Sequence, residues 1–117
     1  MIETDIQSQI RLALSPRGIV FRTNSGDFYQ GIQTYSHEFK QTVLINLRKV
    51  AGLPKGFSDL LFVGDGTVAF IECKTPKGRP TEDQINFINR MQALHHFAGV
   101  ARSVDDAINI ITGGINK

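Results

Sequence analysis

The chain has 117 residues, 41% of them apolar and 21% charged, with a net charge of +2. That suits one domain over residues 1–117 with a genuine core, and the charge balance by itself does not mark a nucleic-acid binder. No apolar run is long enough to cross a bilayer, and the acidic start Met1-Ile2-Glu3-Thr4-Asp5 lacks the basic, apolar pattern of a secretory signal. A single cysteine, Cys73, cannot pair within the chain, so a reducing, cytoplasmic setting is expected.

Taken in chain order, Thr4 to Leu14 predicts a helix. Ile6, Ile10, Ala13 and Leu14 recur at helical spacing, and Thr4 with Gln7 resembles a capping box. Ser15-Pro16-Arg17-Gly18 stops it. Ile19 to Thr23 reads as a strand closed by Asn24-Ser25-Gly26. Asp27 to Thr42 shows no clean period and reads as a long loop carrying Phe28, Tyr29, Tyr35 and Phe39. Val43 to Val50 fits a helix or a strand equally.

The second half is more legible. Asp59 to Val63 and Thr67 to Lys74 form a hairpin about an Asp65-Gly66 turn. After a Gly/Pro loop, Thr81 caps a helix with Gln84 at the capping-box position and an apolar stripe of Ile85, Ile88, Met91 and Leu94. His95-His96 caps its far end. Val100 to Arg102 is a last strand, and Ser103 with Asp106 opens a final helix ended by Gly113-Gly114. This order describes an α/β sandwich, a mixed central sheet flanked by helices.

The chemistry concentrates in Gly56-Phe57-Ser58-Asp59 and Phe70-Ile71-Glu72-Cys73-Lys74. Strand alternation puts Glu72 and Lys74 on one face, with Ile71 and Cys73 turned to the core. Asp59 opens the partner strand, near Glu72. Two facing carboxylates repel each other, and a divalent cation resolves the conflict. Oxygen donors suit Mg²⁺ or Mn²⁺, which can activate water for phosphodiester hydrolysis. Lys74 would balance the charge that develops on phosphate. Arg48, Lys49, Lys55, Lys77 and Arg79 offer a local basic surface for a phosphate backbone. His37, His95 and His96 lack zinc spacing, Cys73 is a core residue rather than a nucleophile, and the glycines form no phosphate loop.

Asp59 followed by Glu72-x-Lys74 at the end of an apolar strand resembles the PD-(D/E)xK nuclease superfamily, and within it the virus-type replication-repair nuclease domain, VRR-NUC. Glu3 before a helix, Asn24 after the first strand, Gln84 on the next helix and Arg102-Ser103-x-x-Asp106-Ala107 fit the same pattern. Ser58 stands where the superfamily has proline. The resemblance implies a PD-(D/E)xK core and a Mg²⁺- or Mn²⁺-dependent endonuclease of viral or bacterial type. Its substrate would be DNA, in branched or junction form, during replication or repair. Asp59, Glu72 and the Ile71 backbone carbonyl would then hold metal. Lys74 would be the catalytic cation, and Gln84 and Glu3 would orient water, phosphate or ion. Gln84 reads equally as a cap, and Glu3 as a charge favourable at a helix start. The alternatives are a silent nucleic-acid-binding module or a protein-interaction domain working through the aromatic segment. A homodimer is expected, with part of its contact in Asp27 to Thr42, since cutting both strands of DNA needs two sites.

Overall fold

In chain order the computed structural model has α1 (Glu3–Leu14), a 3-10 turn (Ser15–Arg17), β1 (Gly18–Arg22), β2 (Asp27–Ser36), β3 (Gln41–Ala51), β4 (Leu60–Gly64), β5 (Thr67–Cys73), α2 (Glu82–Ala93), β6 (Phe97–Ala101) and α3 (Val104–Ile111). It describes residues 2–25 and 27–114, so Gly26 of the expected turn lies outside the described residues.

The main sheet has the order β1-β4-β5-β6. β1 and β4 are antiparallel, as are β4 and β5, while β6 runs parallel to β5 and is reached by way of α2. The result is a small α/β domain with a mixed sheet. Alternation divides the strands between two cores. Leu60, Phe62, Ala69, Ile71, Cys73 and Ala101 meet Ile6, Ile10 and Leu14 of α1 and Ala107, Ile110 and Ile111 of α3. On the opposite face Ala98 and Val100 meet Ile88 of α2, with Phe70 and Met91 beside them. Helices therefore flank both faces, as expected.

Local signals explain most boundaries. Thr81 accepts the Gln84 N–H at 3.2 Å and Gln84 Oε1 accepts the Thr81 N–H at 2.8 Å, a complete capping box. Ser103 Oγ accepts the Asp106 N–H and opens α3. His95 ends α2 through its backbone: at φ +68° its N–H donates to Gln92 O and that of His96 to Met91 O. The expected Thr4–Gln7 box is replaced at α1. Glu3 is already helical, so Thr4 lies two residues past the N-cap position, and Asp5 Oδ2 accepts the Ile2 N–H at 3.3 Å instead.

The largest correction concerns residues 27–51. The expected long loop and the ambiguous segment after it are two strands of one antiparallel hairpin, paired from Asp27↔Ala51 to Ser36↔Gln41. A β-bulge interrupts the register between Gln30 and Ile32, beside Asn46 at φ +53°. Nearly every hairpin residue is exposed. The hairpin lengthens the molecule to 52 × 30 × 27 Å and gives a radius of gyration of 16.9 Å, against about 13 Å for a compact chain of this length. Among the described residues no helix is long and apolar enough to cross a membrane.

Candidate functional site

Continuing the β4–β5 register by one residue beyond Leu60↔Ile71 sets Asp59 against Glu72, at the end of the sheet where α1 begins. Glu3 arrives from the first turn of that helix. One carboxylate oxygen from each of Glu3, Asp59 and Glu72 lies within 4.8 Å of the others. Lys74 is two residues beyond Glu72 on the same strand face, and its Nζ stands 3.9 Å from Glu72 Oε1.

The four side chains are held unequally. Asp59 Oδ2 accepts the Cys73 N–H at 2.9 Å, and the Asp59 carbonyl accepts the Thr23 N–H at 3.0 Å, so both strands beside β4 fix this residue. Thr23 Oγ1 also donates to the Ser58 carbonyl. The Lys74 N–H donates to Ala101 O at 3.1 Å, continuing the β5–β6 ladder past Cys73. Glu72 is 1% exposed, and neither of its carboxyl oxygens has a hydrogen-bond partner among the described residues. Buried polar groups without partners are rare and call for an explanation.

Burial is the largest cause of Glu72's proton affinity, and the facing Asp59 carboxylate is the next. Glu3 adds to both and Lys74 opposes them, and the carboxyl is pushed up from 4.5 to about 9. Phe70 precedes it by two residues on the same face and packs edge-to-face with Phe57 and Phe87, which supplies the apolar wall. Gly56 makes that wall possible. At φ +91°, a Cβ there would stand 2.5 Å from the Asp83 carbonyl oxygen, so only glycine lets this loop close on α2. The same burial raises the Cys73 thiol far above its ordinary range, which suppresses the thiolate.

Of the residues singled out in the sequence, Asp59, Glu72, Lys74 and Glu3 come together. Gln84 lies at the start of α2 with its side-chain oxygen engaged in the capping box. Ile71 sits within the ladder opposite Leu60. By alternation, the next main-chain group on that side of the strand belongs to Cys73, whose N–H already meets Asp59.

Arg102, part of the closing Arg102-Ser103-x-x-Asp106-Ala107 pattern, has a role that its spacing does not reveal. The Arg102 guanidinium donates to the carbonyls of Thr75, at 2.7 Å, and Gly78. It pins the loop that follows Lys74 and carries Lys77 and Arg79, while its own N–H donates to Asp106 Oδ2 at 2.9 Å. A chain distance of 27 residues hides this contact from any local reading.

The donor set fits a hard divalent cation: three carboxylates, one of them buried without a hydrogen bond, on separate elements of a rigid sheet end. Compared with known protein families and with curated proteins, the chain matches none.

Proposed function

We propose that this protein is a metal-dependent nuclease that hydrolyses phosphodiester bonds in DNA. The observation that carries the reading is the buried Glu72 carboxyl, without a hydrogen-bond partner among the described residues, facing Asp59 and Glu3 with Lys74 alongside. A sheet end that sets three acids together against an apolar wall is costly unless a cation joins them. When bound, Mg²⁺ or Mn²⁺ supplies Lewis acidity to a phosphoryl oxygen and to water.

The chain's own groups then divide the work. Asp59, anchored by the Cys73 N–H, and Glu72 hold the ion, and Glu3 completes the acidic side. Lys74, its side chain 12% exposed, places its Nζ where negative charge grows on phosphate. The exposed Lys77 and Arg79, on the loop braced by Arg102, offer cations to the DNA backbone. This order of strand acids and lysine supports reading the sheet as a PD-(D/E)xK core and the chain as VRR-NUC-like. Branched or junction DNA is the substrate form that goes with that resemblance, and a homodimer would present two centres to its two strands.

A direct test incubates the protein with labelled duplex, flapped and four-way DNA in Mg²⁺, Mn²⁺ or EDTA. Cleavage in either metal, abolished by EDTA and by Glu72→Gln, is the expected result. DNA binding without cleavage in either metal would leave a silent binding module instead.

A further inference from the structure

We infer that Ser58 is a positioning residue for the cation: its buried hydroxyl hydrogen-bonds a water of the ion's shell and so fixes where the ion sits beside Asp59.

Among the described residues two polar side chains are buried, Ser58 at 0% exposure and Glu72 at 1%. The buried side-chain atoms without a hydrogen-bond partner there are Ser58 Oγ and the two carboxyl oxygens of Glu72. Ser58 precedes Asp59 in the chain, and Glu72 faces Asp59 one step beyond the β4–β5 register. Native proteins pair nearly all of their buried polar atoms, with protein or with ordered water. Unpaired atoms that all flank one carboxylate are not scattered packing faults. They mark a place where the partners arrive with a ligand.

The main chain around Ser58 is pinned. The Ser58 carbonyl accepts Thr23 Oγ1, the Asp59 carbonyl accepts the Thr23 N–H at 3.0 Å, and the Phe57 N–H donates to Pro54 O at 3.1 Å. Phe57 is held further by ring contacts with Phe70 and Phe87. A side chain with no exposed surface, on a backbone fixed at both neighbours, does not reach bulk water. Its partner has to come to it.

The chemistry of a hydroxyl selects that partner. A neutral serine oxygen is a weaker ligand for Mg²⁺ or Mn²⁺ than the carboxylates already grouped at this sheet end. Successive side chains on extended backbone also diverge, so Ser58 and Asp59 do not grip one ion side by side. A hard cation held by a few carboxylates keeps waters in its shell, and those waters need hydrogen-bond partners of their own. A hydroxyl can serve them as acceptor or donor. Groups that orient a metal's ligands in this way are worth about 10–100-fold in affinity.

This inference rests on the metal reading above, and the experiment separates the two. Ser58→Ala deletes one oxygen and leaves the packing in place. Because it removes an unpaired buried group, the variant should melt no earlier than wild type in EDTA. Its Kd for Mn²⁺, measured by calorimetry, should rise about 10-fold or more. Its gain in melting temperature on adding Mn²⁺ should shrink accordingly. A crystal structure with Mn²⁺ should show a water on the ion and about 2.8 Å from Ser58 Oγ. Earlier melting in EDTA, whatever the affinity, would make Ser58 part of the scaffold and overturn the proposal. So would Mn²⁺ affinity within about twofold of wild type, or a Mn²⁺ structure with no water between the ion and Ser58 Oγ. Wild-type protein that binds no Mn²⁺ would overturn this proposal and the metal reading together. Wild-type binding that Ser58→Ala leaves unchanged would overturn this proposal alone.

Discussion

Asp59 Oδ2 takes the Cys73 N–H at 2.9 Å, while Glu72, next to Cys73 and facing Asp59, takes no hydrogen bond among the described residues. Two acids on neighbouring strands therefore stand in different electrostatic conditions. Asp59 is held by a backbone donor, while burial and the facing Asp59 carboxylate disfavour the charge of Glu72. Glu72 is thus the acid of the pair poised to take either a proton or a cation.

The first prediction is a pH dependence. Glu72 titrates near 9 in the metal-free fold and near 4.5 when unfolded. Between those values the folded protein holds a proton the unfolded chain releases, so metal-free stability falls as pH rises through that window. Added Mn²⁺ competes with the same proton, so its stabilising effect should grow over pH 5 to 9. Thermal unfolding in EDTA and in Mn²⁺ measures both. Glu72→Gln should raise the metal-free melting temperature at pH 8 and abolish the pH-dependent metal response. A variant that melts earlier than wild type in EDTA at pH 8 would contradict this.

Asp59→Asn separates charge from scaffold. The amide oxygen still accepts the Cys73 N–H, so the fold should hold, while affinity for Mn²⁺ drops about 100-fold or more and cleavage is lost. Asp59→Ala removes the acceptor too and should cost a further 1–3 kcal/mol or so in stability, partly offset by relief of repulsion on Glu72. Calorimetric titration with Mn²⁺ and denaturant unfolding distinguish the two variants.

Lys74→Met should lower turnover by about 10²–10³-fold while leaving Mn²⁺ binding within a few-fold of wild type, because the ammonium acts on phosphate and not on the ion. Single-turnover cleavage beside a metal titration tests it. Loss of Mn²⁺ affinity with full turnover would place Lys74 outside the chemistry.

Glu3→Gln should weaken metal binding by about 10-fold and leave the melting temperature of the metal-free protein almost unchanged. The helix start is capped by Asp5, not by Glu3. Equal affinity in the variant and wild type would show that Glu3 is only a favourable charge at a helix terminus.

What could be read in advance follows burial. Residues 60–73 were legible because one set of side chains, Leu60, Phe62, Ala69 and Ile71, enters the core and an Asp65-Gly66 turn sets the register. That register alone brings Asp59 to Glu72. Residues 27–51 were opaque because neither face of the hairpin is buried, so no alternation is imposed, and the bulge at Gln30/Ile32 shifts the period midway. Glu3 carried no spacing signal, since its approach to Glu72 depends on how α1 packs across the sheet. Arg102 stood in the closing pattern, but its hold on the Thr75 and Gly78 carbonyls depended on the fold in the same way.

The pairing of Asp27 with Ala51 has a further consequence. The two ends of a 25-residue excursion emerge side by side, about 5 Å apart in a paired ladder, with Ser25 and Leu53 bridged just behind them. Everything beyond that neck is therefore free to change in length without moving Asp59 or Glu72, provided residues are added or removed in matched pairs. An odd insertion in one strand would rotate every later side chain to the opposite face. Variation among chains of this design should thus appear as hairpins of different reach on an unaltered acidic centre.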